Sequence, residues 1–69
     1  MREVFREVVA ATHDEEITVA AARDGEFGTV NVAVRFGGFA AVITITVDVA
    51  RRLAGRINDA AAAAADPSR

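Results

Sequence analysis

The sequence predicts a small α+β domain, in which a three-stranded antiparallel meander is followed by a C-terminal helix. From Glu15 to Thr46, apolar residues alternate with small or polar residues, and the alternation is broken near Gly25 and Gly37. Period-two alternation between glycine turns is typical of strands joined by hairpins. After Thr46, apolar residues recur every four positions, which indicates a helix with one apolar side. We assign residues 1–69 to a single domain, because a chain of this length has room for only one core.

The first segment, residues 1–11, is predicted to be a helix. Its apolar residues come in pairs, Val4-Phe5 and Val8-Val9, separated by Arg-Glu pairs, which is close to a helical period. The alternative is a fourth strand, because valine and phenylalanine suit sheets and no residue before Arg2 is suited to cap a helix. A short connector at residues 12–14 follows this segment.

The meander over residues 15–46 is predicted in register as well as in strand number. A two-residue turn at Gly25-Glu26, with Gly25 at the first central position of a type II′ turn, sets Ala21 opposite Val30. A two-residue turn at Gly37-Gly38 sets Phe36 opposite Phe39. A slip of one residue in either hairpin would turn the large apolar side chains of a strand outward, so the agreement of the two turns supports the register. The two registers place all large apolar residues on one face, here called the core face: Ile17, Val19, Ala21, Val30, Val32, Val34, Phe36, Phe39, Ala41, Ile43 and Ile45.

The C-terminal helix is predicted over residues 47–65. Thr46 is a suitable N-cap, and Asp48 places a negative charge in the first turn, where it favours the helix dipole. Val49, Leu53 and Ile57 recur every four residues and form an apolar stripe along the helix. We expect this stripe to lie on the core face of the sheet.

Composition excludes several classes of protein. The chain has no cysteine, so neither a disulfide framework nor a thiolate metal site is available. The net charge of −2 argues against strong sequence-independent binding of nucleic acid. No apolar run is long enough to span a membrane, and no apolar signal-peptide core follows the charged start. We expect a cytoplasmic protein that binds neither nucleic acid nor a membrane.

The segment His13-Asp14-Glu15-Glu16 is the candidate for a catalytic or metal site, because it brings a histidine together with several carboxylates. Imidazole and carboxylate groups together can bind a divalent metal or transfer protons. Neighbouring residues on a turn do not converge on one point, however, and the chain has no second histidine. We interpret this segment as a solvated turn and predict no catalytic residue, no metal site, no cofactor and no enzyme activity.

One basic cluster is present in the predicted helix, at Arg51, Arg52 and Arg56. Such a group can contact phosphates or an acidic partner. An ordinary solvated helix face is the favoured interpretation, because Asp48 and Asp59 flank the cluster and no aromatic residue lies nearby to stack on bases.

The face of the sheet opposite the core face, here called the outer face, has an unusual composition. Its residues are small and mildly apolar with almost no charge, whereas a solvated sheet face normally has many charged side chains. We predict that this face mediates self-association. The alternatives are that the N-terminal segment covers it, or that an alanine-rich composition alone explains it. The predicted interface residues are Thr18, Ala20, Ala22, Asn31, Ala33, Val42 and Thr44.

The stretch from Ile45 to Ala54, ITVDVARRLA, follows a strand and precedes an alanine-rich end. It resembles the C-terminal part of short actinobacterial and actinophage proteins, which have a strand, a threonine cap, an acidic first turn and an Ala/Arg-rich helix. The likeness covers about a third of the chain. It implies a source and an architecture, and it assigns no activity, ligand or site residue.

If residues 1–11 are helical, the element order αβββα also resembles that of the double-stranded RNA-binding domain. That resemblance implies phosphate contacts from Arg51, Arg52 and Arg56 in the last helix. The family's lysine cluster is missing here.

Two hypotheses for function follow. The first is a small non-enzymatic protein-interaction module that forms a homo-oligomer and binds a host or other partner protein, as a phage or mobile-element accessory factor would. The alternative is a nucleic-acid-binding module that uses the arginines of the last helix.

Overall fold

A computed structural model describes residues 1–66 and contains one antiparallel sheet and one helix. The elements are β1 (Arg2–Ala11), β2 (Glu15–Asp24), β3 (Phe27–Phe36), β4 (Phe39–Thr46) and α1 (Val47–Ala65). The strands lie in the order β1-β2-β3-β4, so each pairs with its neighbour in sequence. The predicted α+β class and the meander are confirmed. The predicted number of strands is wrong, because the sheet has four strands and not three.

The helix predicted for residues 1–11 is wrong, and the alternative of a fourth strand is correct. β1 pairs with β2 from Arg2↔Arg23 to Ala11↔Glu16, and the register shifts at Val4 and at Val9. The pairing gives hydrogen-bond partners to an edge of β2 that would otherwise remain open. The apolar pairs that imitate a helical period coincide with the two irregularities, where a bulge inserts one extra residue into the strand. The element order is therefore ββββα, which removes the topological likeness to the double-stranded RNA-binding domain.

The registers predicted for the other two hairpins are confirmed. Val30 is paired with Ala21 on one side and Ile45 on the other, and Phe36 is paired with Phe39. Gly25 and Gly37 have φ values of 63° and 56°, and no other described residue has a positive φ. A positive φ at the first central position alone is the pattern of a type II′ turn, whose twist matches that of the flanking strands.

The C-terminal helix and its cap are also confirmed. The backbone N–H of Val49 donates a hydrogen bond to Oγ1 of Thr46 at 3.3 Å, and Asp48 lies in the first turn. The helix begins directly after β4, since Thr46 is the last residue of the strand and Val47 is the first of the helix.

The helix does not cover the core face as expected from the sequence. Its contacts with the sheet are limited to β3 and β4, and no residue of the helix is buried. Near its start, Val47 packs against Gly28, where an added Cβ atom would lie 3.3 Å from Cγ2 of Val47. The chain is 47 Å long in its longest dimension, whereas a ten-residue strand spans only about 34 Å. The helix therefore extends beyond the end of the sheet.

The single chain lacks a hydrophobic core. Among the described residues, only Ala20 and Thr18 are buried, with 5% and 8% of their surface exposed. The radius of gyration of the Cα atoms is 14.3 Å, whereas a compact domain of this length would have about 11 Å. The fold thus has a well-defined sheet with an incompletely enclosed apolar side.

Candidate functional site

Exposed large apolar side chains lie on the helix, at the hairpin end of the core face, along β1, and at Phe27 and Val42. The helix and the hairpin end are the two places where residues expected to form the core are exposed. On the helix, Val49, Leu53 and Ile57 are each more than one third exposed, and Ile57 reaches 59%. We call these three residues the helix stripe. They are joined by alanines on the same side of the helix, since a residue every 100° places positions 50, 54, 60, 61 and 64 beside them.

The second exposed patch is at the end of the core face formed by the β3–β4 hairpin. Phe36 and Phe39 are a cross-strand pair beside the turn, and Ile43 lies on the same face of β4. Their exposed fractions are 44%, 63% and 50%. We call these three residues the hairpin-end cluster. A contiguous exposed apolar patch of this kind is typical of an interaction surface.

The total accessible surface of the chain is larger than that of a compact monomer of the same mass. The chain exposes 5502 Å². A compact monomer with a mass of 7.2 kDa would expose about 4,100 Å². The excess is therefore about 1,400 Å² per chain, more than the roughly 800 Å² that each partner contributes to a standard protein–protein interface.

Sequence reasoning assigned the helix stripe and the hairpin-end cluster to the core and missed them as an exposed surface. One signal was available, because a 69-residue chain that uses alanine at many of its apolar positions has few bulky side chains with which to fill a core. These residues are exposed because the helix does not cover the core face. No residue pattern encodes the direction in which the helix leaves the sheet.

The outer-face residues predicted as an interface differ in their exposure in the structure. Thr18 and Ala20 are already buried within the chain, because β1 places Val8 and Arg6 directly opposite them. The N-terminal segment thus protects one side of the outer face, as a neighbouring strand. The remaining predicted residues are half-buried at Ala22, Asn31 and Ala33 and exposed at Val42 and Thr44. The accessible part of the outer face is therefore its β4 side.

Asn31 lies at the centre of the outer face, between Ala20 of β2 and Thr44 of β4. Its Oδ1 atom is inaccessible to solvent and accepts no hydrogen bond from the described residues. A buried acceptor without a donor costs about 1–3 kcal/mol. The outer face therefore contains a destabilising polar group within the single chain.

The two edges of the sheet differ in their protection against pairing with another chain. β1 carries Arg2, Glu3, Arg6 and Glu7 and has two register shifts. Charges and bulges of this kind discourage edge-to-edge pairing. β4, at the other edge, has the sequence FAAVITIT, with no charge and no proline.

The ion pair between Glu3 and Arg6 on β1 shifts the pKa of both side chains. The Arg6 guanidinium donates two hydrogen bonds to Oε1 of Glu3, from Nε at 2.9 Å and from Nη2 at 2.6 Å. These hydrogen bonds lower the pKa of the Glu3 carboxyl below its usual value. The pair lies on the outer face beside Ala20 and Ala22.

The helix arginines do not form one positive cluster. Arg52 lies 3.4 Å from Asp48, and Arg56 lies 3.6 Å from Asp59, so each is partly neutralised by an acid on its own helix. At 100° per residue, Arg51 points about 100° away from Arg52 and further still from Arg56. A shallow depression of about 560 Å³ beside the helix includes these arginines, but it also includes Val49, Leu53 and Asp59. The three arginines are thus poorly placed to bind one phosphate together.

The segment from His13 to Glu16 shows no metal-binding geometry. The His13 side chain is 98% exposed, and its Nε2 atom is 3.9 Å from Oδ1 of Asp14. Across residues 1–66, no three histidine, cysteine, aspartate or glutamate side chains come together in a group that would hold a metal ion. The turn is organised by its backbone, in which Thr12 N–H donates to the carbonyl of Glu15 at 2.7 Å and Gly37 N–H donates to the carbonyl of Asp14 at 2.8 Å.

Comparison with known proteins adds no further constraint on function. No protein-family model, no curated protein and no solved structure matches the chain. Within the part of the chain that the structure describes, α1 is the helix to consider for a membrane span, and it is too polar for that role.

Proposed function

We propose that this protein is a small non-enzymatic interaction module that works as a homodimer. The observation that carries the proposal is the exposed surface of 5502 Å², which exceeds that of a compact monomer by about 1,400 Å². Two chains that each covered an excess of about 1,400 Å² would bury about 2,800 Å² in total, which lies within the range of obligate homodimers. A second copy thus supplies the apolar cover that a single chain lacks.

The chemistry of the surface supports the same proposal. The residues that define the helix stripe and the hairpin-end cluster are uncharged, so contact between these residues buries no charge of their own. Two acidic residues lie elsewhere on the core face, Glu7 opposite Val19 and Glu15 opposite Phe36. Charged residues of the helix are paired with each other at its wet side, as Asp48 with Arg52 and Arg56 with Asp59. They would remain in solvent at the rim of an interface.

The test is the molar mass by light scattering over a dilution series, combined with denaturant unfolding at several protein concentrations. We expect twice the chain mass, and a midpoint that rises with protein concentration, because dimerisation stabilises the folded state by mass action. A chain that unfolds cooperatively with a midpoint independent of concentration, and has the mass of one chain throughout, would contradict the proposal.

Self-association through the outer face is the alternative within this proposal. Val42 and Thr44 are accessible there, and a partner protein is the other candidate occupant of that surface. Because β4 alternates its side chains, Val42 and Ile43 are neighbours on opposite faces, and substitutions at the two positions distinguish the faces.

The nucleic-acid alternative is weakly supported, since the helix arginines are separated and two of them are paired with acids. It predicts binding that weakens steeply with salt and is lost in the double variant Arg52→Glu, Arg56→Glu. We expect neither duplex RNA nor single-stranded DNA to bind at low salt. Salt-sensitive binding that the double variant abolishes would establish the alternative instead.

A further inference from the structure

We infer that, in the homodimer, the helix stripe of each chain docks on the hairpin-end cluster of a second copy. This inference rests on the proposed homodimer and specifies its interface. It assigns Val49, Leu53 and Ile57 of one chain to a contact with Phe36, Phe39 and Ile43 of the other.

The hairpin-end cluster is not covered by the helix of its own chain. Phe36 and Phe39 flank the β3–β4 turn, whereas the helix begins after Thr46, at the opposite end of β4. Seven residues of strand, or about 24 Å, separate Phe39 from Thr46. No linker joins Thr46 to Val47, so the helix starts at the end of the sheet remote from the cluster, and the cluster remains exposed in the single chain.

The helix stripe and the hairpin-end cluster are both apolar, and the helix is long enough to cross the sheet. The helix has 19 residues and is about 28 Å long, which is enough to cross the four strands of the sheet. Bulky residues of the stripe alternate with alanines along the helix, and alanines let a helix approach a sheet closely. Aromatic side chains such as Phe36 and Phe39 bury a large area when they are covered.

The numbers of the two surfaces also fit a homodimer. Each chain has one uncovered stripe and one uncovered cluster, so two chains related by a two-fold axis would cover both surfaces of both chains in one isologous interface. A single partner of another kind would have to provide one apolar surface for the stripe and another for the cluster. A second copy of this chain provides both.

Crosslinking of single-cysteine variants tests this arrangement, because the chain contains no cysteine of its own. Ile57→Cys on the stripe and Ile43→Cys in the cluster are mixed by unfolding and refolding them together, with a short tag on one variant. A short bismaleimide is then added at low protein concentration, since it tolerates a less exact geometry than a disulfide does. Arg51→Cys replaces Ile57→Cys as a matched control, because at 100° per residue Arg51 lies about 160° from the centre of the helix stripe.

We expect the mixed product of Ile57→Cys and Ile43→Cys to dominate, and to be largely lost with Arg51→Cys. A dimer of twice the chain mass that crosslinks only between two Ile57→Cys chains would indicate helix–helix pairing and overturn the inference. A dimer that crosslinks only between two Ile43→Cys chains would indicate sheet-to-sheet packing and also overturn it. Both outcomes would leave the proposed homodimer intact, whereas a monomeric mass before crosslinking would contradict the homodimer itself.

Discussion

Truncation of Ile57 to alanine gives the sharpest test of an interface at the helix stripe. Deleting a fully buried isoleucine side chain to alanine costs about 2–5 kcal/mol. Since 59% of Ile57 is exposed in the single chain, we assign a similar fraction of that cost, roughly 1–3 kcal/mol, to the interface. A symmetric dimer loses this contribution twice. The dissociation constant should therefore rise by on the order of 100-fold or more, at about 1.4 kcal/mol for each factor of ten.

The substitution is informative because alanine is the best helix former, so Ile57→Ala does not weaken the helix itself. Arg51→Ala is the matched control, because Arg51 is exposed and lies about 160° from the centre of the stripe around the helix. Sedimentation velocity over a dilution series would measure both dissociation constants, and circular dichroism would monitor helix content. Equal dissociation constants for Ile57→Ala, Arg51→Ala and the unmodified protein would refute the reasoning.

Three further predictions concern the sheet. Ile43→Lys should convert the dimer to a monomer in light scattering while Val42→Lys leaves it intact; the reverse result would place the interface on the outer face. Gly37→Ala should destabilise the fold by about 1–2 kcal/mol in denaturant unfolding, because an L-residue is strained at its positive φ of 56°. Gly38→Ala is the control and should have a smaller effect, since Gly38 does not have a positive φ and nothing lies within 4 Å of an added Cβ atom; equal losses would contradict the turn assignment. The pKa of the Glu3 carboxyl should lie below its ordinary value of 4.5 in an NMR titration. Because the folded-state pKa is lowered, its contribution to stability is present above pH 4.5 and is lost as the pH falls through the folded value; an unshifted titration would show that the ion pair with Arg6 does not form in solution.

The fate of residues 1–11 shows how a local pattern can mislead. Val4-Phe5 and Val8-Val9 have nearly helical spacing, and the residues alone do not reveal that bulges can absorb the extra position of each pair. Residues 1–11 form a strand because the open edge of β2 provides hydrogen-bond partners for a strand and none for a helix. That edge exists only after the meander has formed, so the decision is tertiary.

The outer face is a second place where strand pairing changed an expectation drawn from the sequence. Its lack of charge was visible in the sequence, and it suggested an interface over its whole width. β1 then buried Thr18 and Ala20 within the chain and left the β4 side accessible. Composition thus indicated which face was unusual, while strand pairing decided which part of that face a partner can reach.

The sequence by itself determined the three hairpin strands, their register, both glycine turns and the capped C-terminal helix. Each of these depends on interactions between residues close in the chain, or on a period-two pattern that permits only one face to be apolar. Tertiary structure alone decided the strand at residues 1–11 and the direction of the helix away from the core face. Both depend on the geometry of a whole sheet edge or of the Thr46–Val47 junction, which no local pattern of side chains encodes. The exposed apolar surface that supports the proposed function follows from that second decision.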